Sequence, residues 1–317
     1  MAHQLIDVAV EAGANAVKFQ TFTADRLVIA HAPKAEYQMR TTDHSESQYE
    51  MLRKLELSKE THRDLIAYCK NKNILFMSTP FDEDSADLLA DLGVAVFKVA
   101  SGELTNLSFI AHVARKAKPM IVSTGMANLT EVEAAVNTIR ATGLQDFILL
   151  HCVSSYPAKP ADVNLRAMQM MSDTFNLPVG YSDHTMGIEV AIAAAALGAC
   201  VIEKHFTIDR NLLGPDHQVS LEPVELKKLV ESIRIVEMAL GREIKEPTPS
   251  EADTARAARK SLVAAQNIPA GTKLTEELIA IKRPGTGLPP PMKSHFLGRI
   301  LKVPVQAGTL LVLEMLA

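Results

Sequence analysis

Residues 177–205 read LPVGYSDHTMGIEVAIAAAALGACVIEKH, and the fold turns on them. Two short apolar runs, 177–181 and 200–202, each give way to polar residues. Between them, 188–197 is rich in helix-forming Ala and closes at Gly198. Strand, helix, strand is the unit that builds parallel sheets, because two parallel strands need a crossover to join them. Parallel strands run in step, so their carboxyl ends lie side by side. Here those ends carry Ser182, Asp183 and His184 on one strand and Glu203, Lys204 and His205 on the next. A lone histidine at a strand end is an ordinary structural hydrogen-bonder. Two in matched positions, beside carboxylates and a lysine, can hold a divalent ion or an anionic substrate. Strand alternation sends Glu203 and Lys204 to opposite faces, and Glu203 is expected inward with His205.

The same pattern repeats outward from this unit. Strands are expected at 16–20, 74–79, 96–100, 120–123 and 147–153, each followed by a helix or a long loop. Ser58 caps a helix to about Lys72, and a helix over 223–240 closes the series. With the first pair this makes seven strands whose ends are loaded with polar residues. That alternation fits a (β/α)8 barrel, in which reacting groups sit at the carboxyl ends of the strands. A doubly wound open sheet is the rival reading, but no GxGxxG turn appears. The chain opens on an amphipathic helix, so the expectation is a barrel lacking its first strand. Residues 31–57 form a polar excursion too long for an ordinary connection, which makes it a candidate active-site lid.

Residues 1–241 are assigned to the barrel and 242–258, charged and Pro-containing, to a linker. Residues 259–317 differ in character, with short apolar runs at 261–265, 278–282, 301–305 and 310–313 punctuated by Pro-Ala-Gly-Thr and Gln-Ala-Gly-Thr turns. They read as a small β-rich domain. Apolar residues make up 47% of the 317, enough for a large core. A net charge of −4 without a long basic run argues against nucleic acid as a partner. Cys69, Cys152 and Cys200 are scattered and form no CxxC pair, as expected of reduced thiols in the cytoplasm. The longest apolar stretch, 188–199, contains Glu189 and is too short to span a bilayer.

In the barrel reading Lys18, Lys98, Ser101, Ser123, Ser154, Tyr156, Ser182, His184, Glu203 and His205 all come from strand ends or just beyond. Two lysines with several hydroxyls suit a phosphate or a carboxylate. Two neutral imidazoles with oxygen ligands suit a divalent ion such as manganese, whereas closed zinc sites recruit Cys or a third His. An anion site beside a Lewis acid points to condensation or aldol-type chemistry on a phosphorylated substrate. His62, His112 and His151 read as structural or surface residues.

The motifs AVKFQTF, APKAEYQ, ESQYEMLRKLELS, FMSTPFD, FKVASGE, STGM, LLHCVSSYP, GYSDHTMG, IEKHFTID, GPDHQVSLEP and KRPGTGLPP resemble the sialic acid synthase family over essentially the whole chain. Members join phosphoenolpyruvate to an N-acetylated hexosamine and pair a barrel with a C-terminal antifreeze-like (SAF) domain. The resemblance implies that His184 and His205 bind Mn2+ or Mg2+ on the sugar's aldehyde oxygen. It implies that Lys18, Lys98, Ser101, Ser123 and Ser182 hold phosphoenolpyruvate, with Glu203 in the same site and Gln20 near it. Tyr156 and Asp216 would contact the sugar. Arg283 would reach the N-acetyl group in the partner subunit's site of a domain-swapped homodimer. The sequence departs from the family in two places. Many members have Asn or Thr where Ser154 stands, a substrate-contacting position. The family also opens with a strand ending in a catalytic Glu and an Asn-His-Asn-Gly-like turn, ahead of the helix that begins here. N-acetylmannosamine is the first expectation for the sugar. The alternatives are a legionaminate-type or spore-coat sugar acid synthase, or an inactive sugar- or metal-binding fragment.

Overall fold

The structure, a computed structural model, describes every residue except Glu36, Tyr37, Arg40, Thr41 and His44. It separates into two units, Met1–Gly241 and Arg242–Ala317. In the first, seven parallel strands form one sheet whose spatial order is their sequence order. They are β1 (Ala16–Thr21), β2 (Leu75–Pro80), β3 (Phe97–Val99), β4 (Met120–Ser123), β5 (Phe147–Cys152), β6 (Val179–Asp183) and β7 (Ile202–Lys204). Helices cover these strands, which is why strands such as β3 and β6 are buried at every residue. The core between the layers is built on fully buried Phe97, Phe109, Leu149 and Tyr181.

Helix starts follow local chemistry. Ser58 Oγ accepts from Thr61 N at 3.1 Å ahead of Lys59–Asn71, and Asp82 Oδ1 accepts from Ser85 N at 2.9 Å ahead of Glu83–Asp91. Asn128 and Glu131 close a reciprocal capping box on Leu129–Ala141. His62 is a buried strut, bonded to Thr21 Oγ1 at 2.7 Å and to the Ser58 carbonyl oxygen at 2.9 Å. His151 donates to the Val163 carbonyl oxygen at 2.6 Å, and His112 pairs with Asp87 at 2.6 Å.

The sheet curls, and its two outer strands, β1 and β7, border one cavity of about 860 Å³. Val17, Phe19, Ile202, Leu229 and Val230 give it an apolar wall. Helices Ala2–Glu11 and Pro223–Leu240 pack against each other beside it, so the helical layer continues where strand pairing stops. Among the described residues no helix is long and apolar enough to cross a membrane.

β6 and β7 run on into the polar ends expected of them, because backbone pairing continues through Ser182–Glu203 and Asp183–Lys204 whatever the side chains are. Two local expectations need correction. In the second unit only 261–264 and 279–282 form a ladder, the antiparallel pair β8 (Ser261–Ala264) and β9 (Ile279–Lys282). The runs at 301–305 and 310–313 make only single bridges: Pro304 lacks an N–H to donate, and Gly308 turns the chain at φ +83°. The stretch expected as a linker holds a helix, Ala252–Ala258, and Arg256 O accepts from Gly285 N of the same unit. This unit has its own core around Leu262, Ile268, Phe296, Leu301 and Leu311.

Candidate active site

At the carboxyl ends of the strands lies a cavity of about 990 Å³. β1 contributes Lys18 and Gln20, β3 contributes Lys98 with Ser101 just beyond, and β4 contributes Ser123. Ser154 and Tyr156 follow β5, Ser182 and His184 come from the end of β6, and Glu203 and His205 from that of β7. Asp216 arrives from the loop after β7. Arg283 is the exception: it belongs to the second unit, where its Nε donates to the Ala258 carbonyl oxygen at 3.0 Å. From the 31–57 excursion, Gln48, Met51 and Leu52 line the cavity, while Glu36, Tyr37, Arg40, Thr41 and His44 lie outside the described residues.

Glu203 stands between two cations, 3.7 Å from Lys18 Nζ and 3.7 Å from Lys98 Nζ. Ser182 Oγ donates to it at 2.8 Å. Burial alone would raise its pKa, but Lys18 and then Lys98 outweigh that and hold the carboxyl at about 2. Lys98 is nearly inaccessible and donates to Ser123 Oγ at 2.7 Å and to the Val99 carbonyl oxygen at 2.9 Å. Burial lowers it to about 8 against the pull of Glu203. One carboxylate between two ammonium groups leaves a net positive cradle. Gly125 opens it further: a Cβ there would stand 2.3 Å from Ser154 Oγ and 2.8 Å from Ser101 Oγ. Its N–H donates to Ser101 Oγ at 3.0 Å.

The His184 and His205 ring centroids are 5.4 Å apart, with the Tyr156 ring 4.3 Å from the first. His184 Nδ1 lies 2.8 Å from the Val153 carbonyl oxygen, which only accepts, so the proton sits on Nδ1 and Nε2 keeps its lone pair. Burial disfavours a charge on His184, yet the Cys152 sulfur and the Val153 carbonyl shift it upward overall. Burial, with Lys18 and His184 adding to it, lowers His205 to about 3, which keeps its imidazole neutral. Among the described residues no third His, Cys, Asp or Glu completes a ligand cluster. The two imidazoles, each with a ring nitrogen to offer once deprotonated, fit a divalent ion in an open site, most of whose shell would be water and substrate oxygen.

Two buried side-chain oxygens, Asp216 Oδ1 and Thr79 Oγ1, lack a hydrogen-bond partner among the described residues, and both residues line this cavity. Burial raises the Asp216 carboxyl. Thr79 was not among the expected residues. Its signal in the sequence is a hydroxyl near the end of an expected strand.

Lysines, hydroxyls and paired imidazoles gathered at the carboxyl face of a curled parallel sheet define a TIM-like α/β protein with a polar cavity where such folds carry their sites. The chain belongs to the NeuB family, whose model matches residues 5–245, and carries a SAF domain at 259–317. It is 49% identical over 95% of its length to N,N'-diacetyllegionaminic acid synthase of Campylobacter jejuni, covering 90% of that protein. It is 36% identical over 96% of its length to N-acetylneuraminate-9-phosphate synthase of Homo sapiens, covering 85% of that protein. Among solved structures, the sialic acid synthetase of Leptospira borgpetersenii matches with a TM-score of 0.70 at 37% identity, over 80% of this chain and 84% of that one.

Proposed function

We propose that the chain joins phosphoenolpyruvate and water to the open-chain aldehyde of an N-acetylated hexosamine, releasing a nine-carbon sugar acid and phosphate. The observation that carries this reading is the placement of the Lys18–Glu203–Lys98 cradle beside the paired His184 and His205 imidazoles in one cavity. Lys18, Lys98, Ser101, Ser123 and Ser182 bind and orient the anionic groups of phosphoenolpyruvate, and Gln20 lies beside them. Glu203 stays ionised and so serves as a charge partner that holds the lysines apart; its low pKa makes it a poor proton donor. His184 and His205 would hold Mn2+ or Mg2+, which supplies Lewis-acid polarisation of the aldehyde oxygen. C3 of phosphoenolpyruvate then bonds to C1 of the sugar, whose oxygen takes up a proton. Water adds at C2 and loses a proton, and the C2–O bond breaks to release phosphate. Asp216 Oδ1, buried and without a hydrogen-bond partner among the described residues, can accept from a sugar hydroxyl, and the Tyr156 ring faces the same space.

The similarity to legionaminate synthases favours a sugar with two acetamido groups over N-acetylmannosamine. The same proposal includes a cytoplasmic location and a domain-swapped homodimer in which each Arg283 serves the other subunit's site. The test is phosphate release from phosphoenolpyruvate with Mn2+ present, offering the 2,4-diacetamido sugar and N-acetylmannosamine separately. Metal-dependent release with the diacetamido sugar is the expected result. Release that ignores the metal, or none with either sugar while sugar binding persists, overturns the catalytic reading.

A further inference from the structure

Behind the cavity, on the opposite face of β6 and β7, lies a buried ion pair that the chemistry above does not use. Asp183 and Lys204 are Cα partners in the β6–β7 register. Lys204 Nζ donates to Asp183 Oδ2 at 2.7 Å and also to the Thr185 carbonyl oxygen. Asp183 Oδ1 accepts from Thr185 N and Thr185 Oγ1, each at 2.8 Å, and from Tyr181 OH at 3.1 Å. The side chains are 0% and 3% exposed, and neither residue borders the polar cavity. Removing two charges from water costs more than a simple pair returns, so such a pair is weak evidence for stability alone. What distinguishes this one is where it grips the chain. It holds the residue before His184, the residue after it, and the residue before His205.

We propose that the Asp183–Lys204 pair is a positioning clamp: it fixes the spacing and aim of the His184 and His205 rings, and thereby the affinity of the imidazole pair for a divalent cation. The inference rests on the proposed metal reading of those histidines. His184 gains further anchorage on the opposite side, where its carbonyl oxygen accepts from Ala158 N at 2.9 Å and its Nδ1 donates to Val153. The His205 carbonyl oxygen likewise accepts from Leu221 N at 3.0 Å, but its ring, unlike that of His184, makes no hydrogen bond among the described residues, so the aim of the ring depends on the backbone that Lys204 and Leu221 tie down. Outer-shell partners of metal-binding histidines typically change metal affinity about 10- to 100-fold when removed.

The test measures Mn2+ binding to the full chain by electron paramagnetic resonance, alongside phosphoenolpyruvate binding without metal. Lys204→Met should weaken Mn2+ at least about tenfold, leave phosphoenolpyruvate affinity within about twofold, and lower kcat in a way that added Mn2+ recovers. Lys204→Arg, which keeps a cation, should restore most of the affinity. Should Lys204→Met fail to fold, Asp183→Asn keeps the Oδ1 acceptor for Thr185 and Tyr181 and should weaken Mn2+ in the same sense. Unchanged Mn2+ affinity in a folded variant overturns the clamp while leaving the metal reading intact. Equal losses of Mn2+ and phosphoenolpyruvate binding also overturn it, since they mark general disorder. No Mn2+ binding by the parent chain overturns the metal reading and the clamp with it.

Discussion

At the carboxyl ends of the strands the cavity wall is lysine, hydroxyl and imidazole, whereas between β1 and β7 it is Val17, Phe19, Ile202, Leu229 and Val230. Lys18, Glu203 and His205 border both cavities. β2 to β6 are paired on both sides, while β1 and β7 have one partner each. Three of the most heavily used groups in the candidate site therefore sit on or just beyond the two strands with the least backbone support. The Lys18–Glu203 ion pair spans those two strands, so charge links them where no ladder does. The polar cavity should govern chemistry and the apolar one stability.

The sharpest way to break that division is His205→Ala. Loss of a Lewis acid worth several kcal/mol should cut phosphate release by about 10³-fold, with circular dichroism and the melting temperature nearly unchanged. An unchanged rate would sink the assignment of His205 to the metal. The opposite variant is Leu229→Ala in the apolar wall, where Leu229 is 2% exposed. Denaturant titration should show a loss of about 2–5 kcal/mol, with kcat held. A fall in kcat without loss of stability would show that the apolar cavity reaches the chemistry.

A smaller effect is expected from Gly125→Ala, whose methyl would meet Ser154 Oγ at 2.3 Å. Overpacking of this kind costs about 1–3 kcal/mol, which should appear as a raised KM for phosphoenolpyruvate with the sugar KM little changed. The mildest test is pH. Lys98 is held at about 8, below its ordinary value of 10.5, so kcat/KM for phosphoenolpyruvate should fall as pH rises through 8. Between 8 and 10.5 the unfolded chain binds more protons at this lysine, so its contribution to stability rises while activity falls. A flat profile from pH 7 to 9 would remove Lys98 from the anion site.

Much of the first unit could be read from sequence because the parallel strands are apolar runs ending in polar residues, and several helices start on a Ser, Asp or Asn cap, as at Ser58, Asp82, Asn106 and Asn128. Glu203 and Lys204 could be sent to opposite faces by alternation alone, and they do point to different partners. What sequence could not supply was pairing. Asp183 reads as one more polar residue at a strand end until its register with Lys204 is known. Thr79 was passed over because an unsatisfied hydroxyl is a property of its surroundings. In the second unit the four apolar runs do not say which of them pair: two form a ladder, and the others fill a core through single bridges.

Because the strands neighbour one another in the order they are made, each can dock on its predecessor as it leaves the ribosome, and few pairings must wait for distant chain. The link between Lys18 and Glu203 is different. It cannot form until residue 203 has been synthesised, so the positive cradle is among the last features of the unit to be assembled, after most of the sheet that supports it already stands.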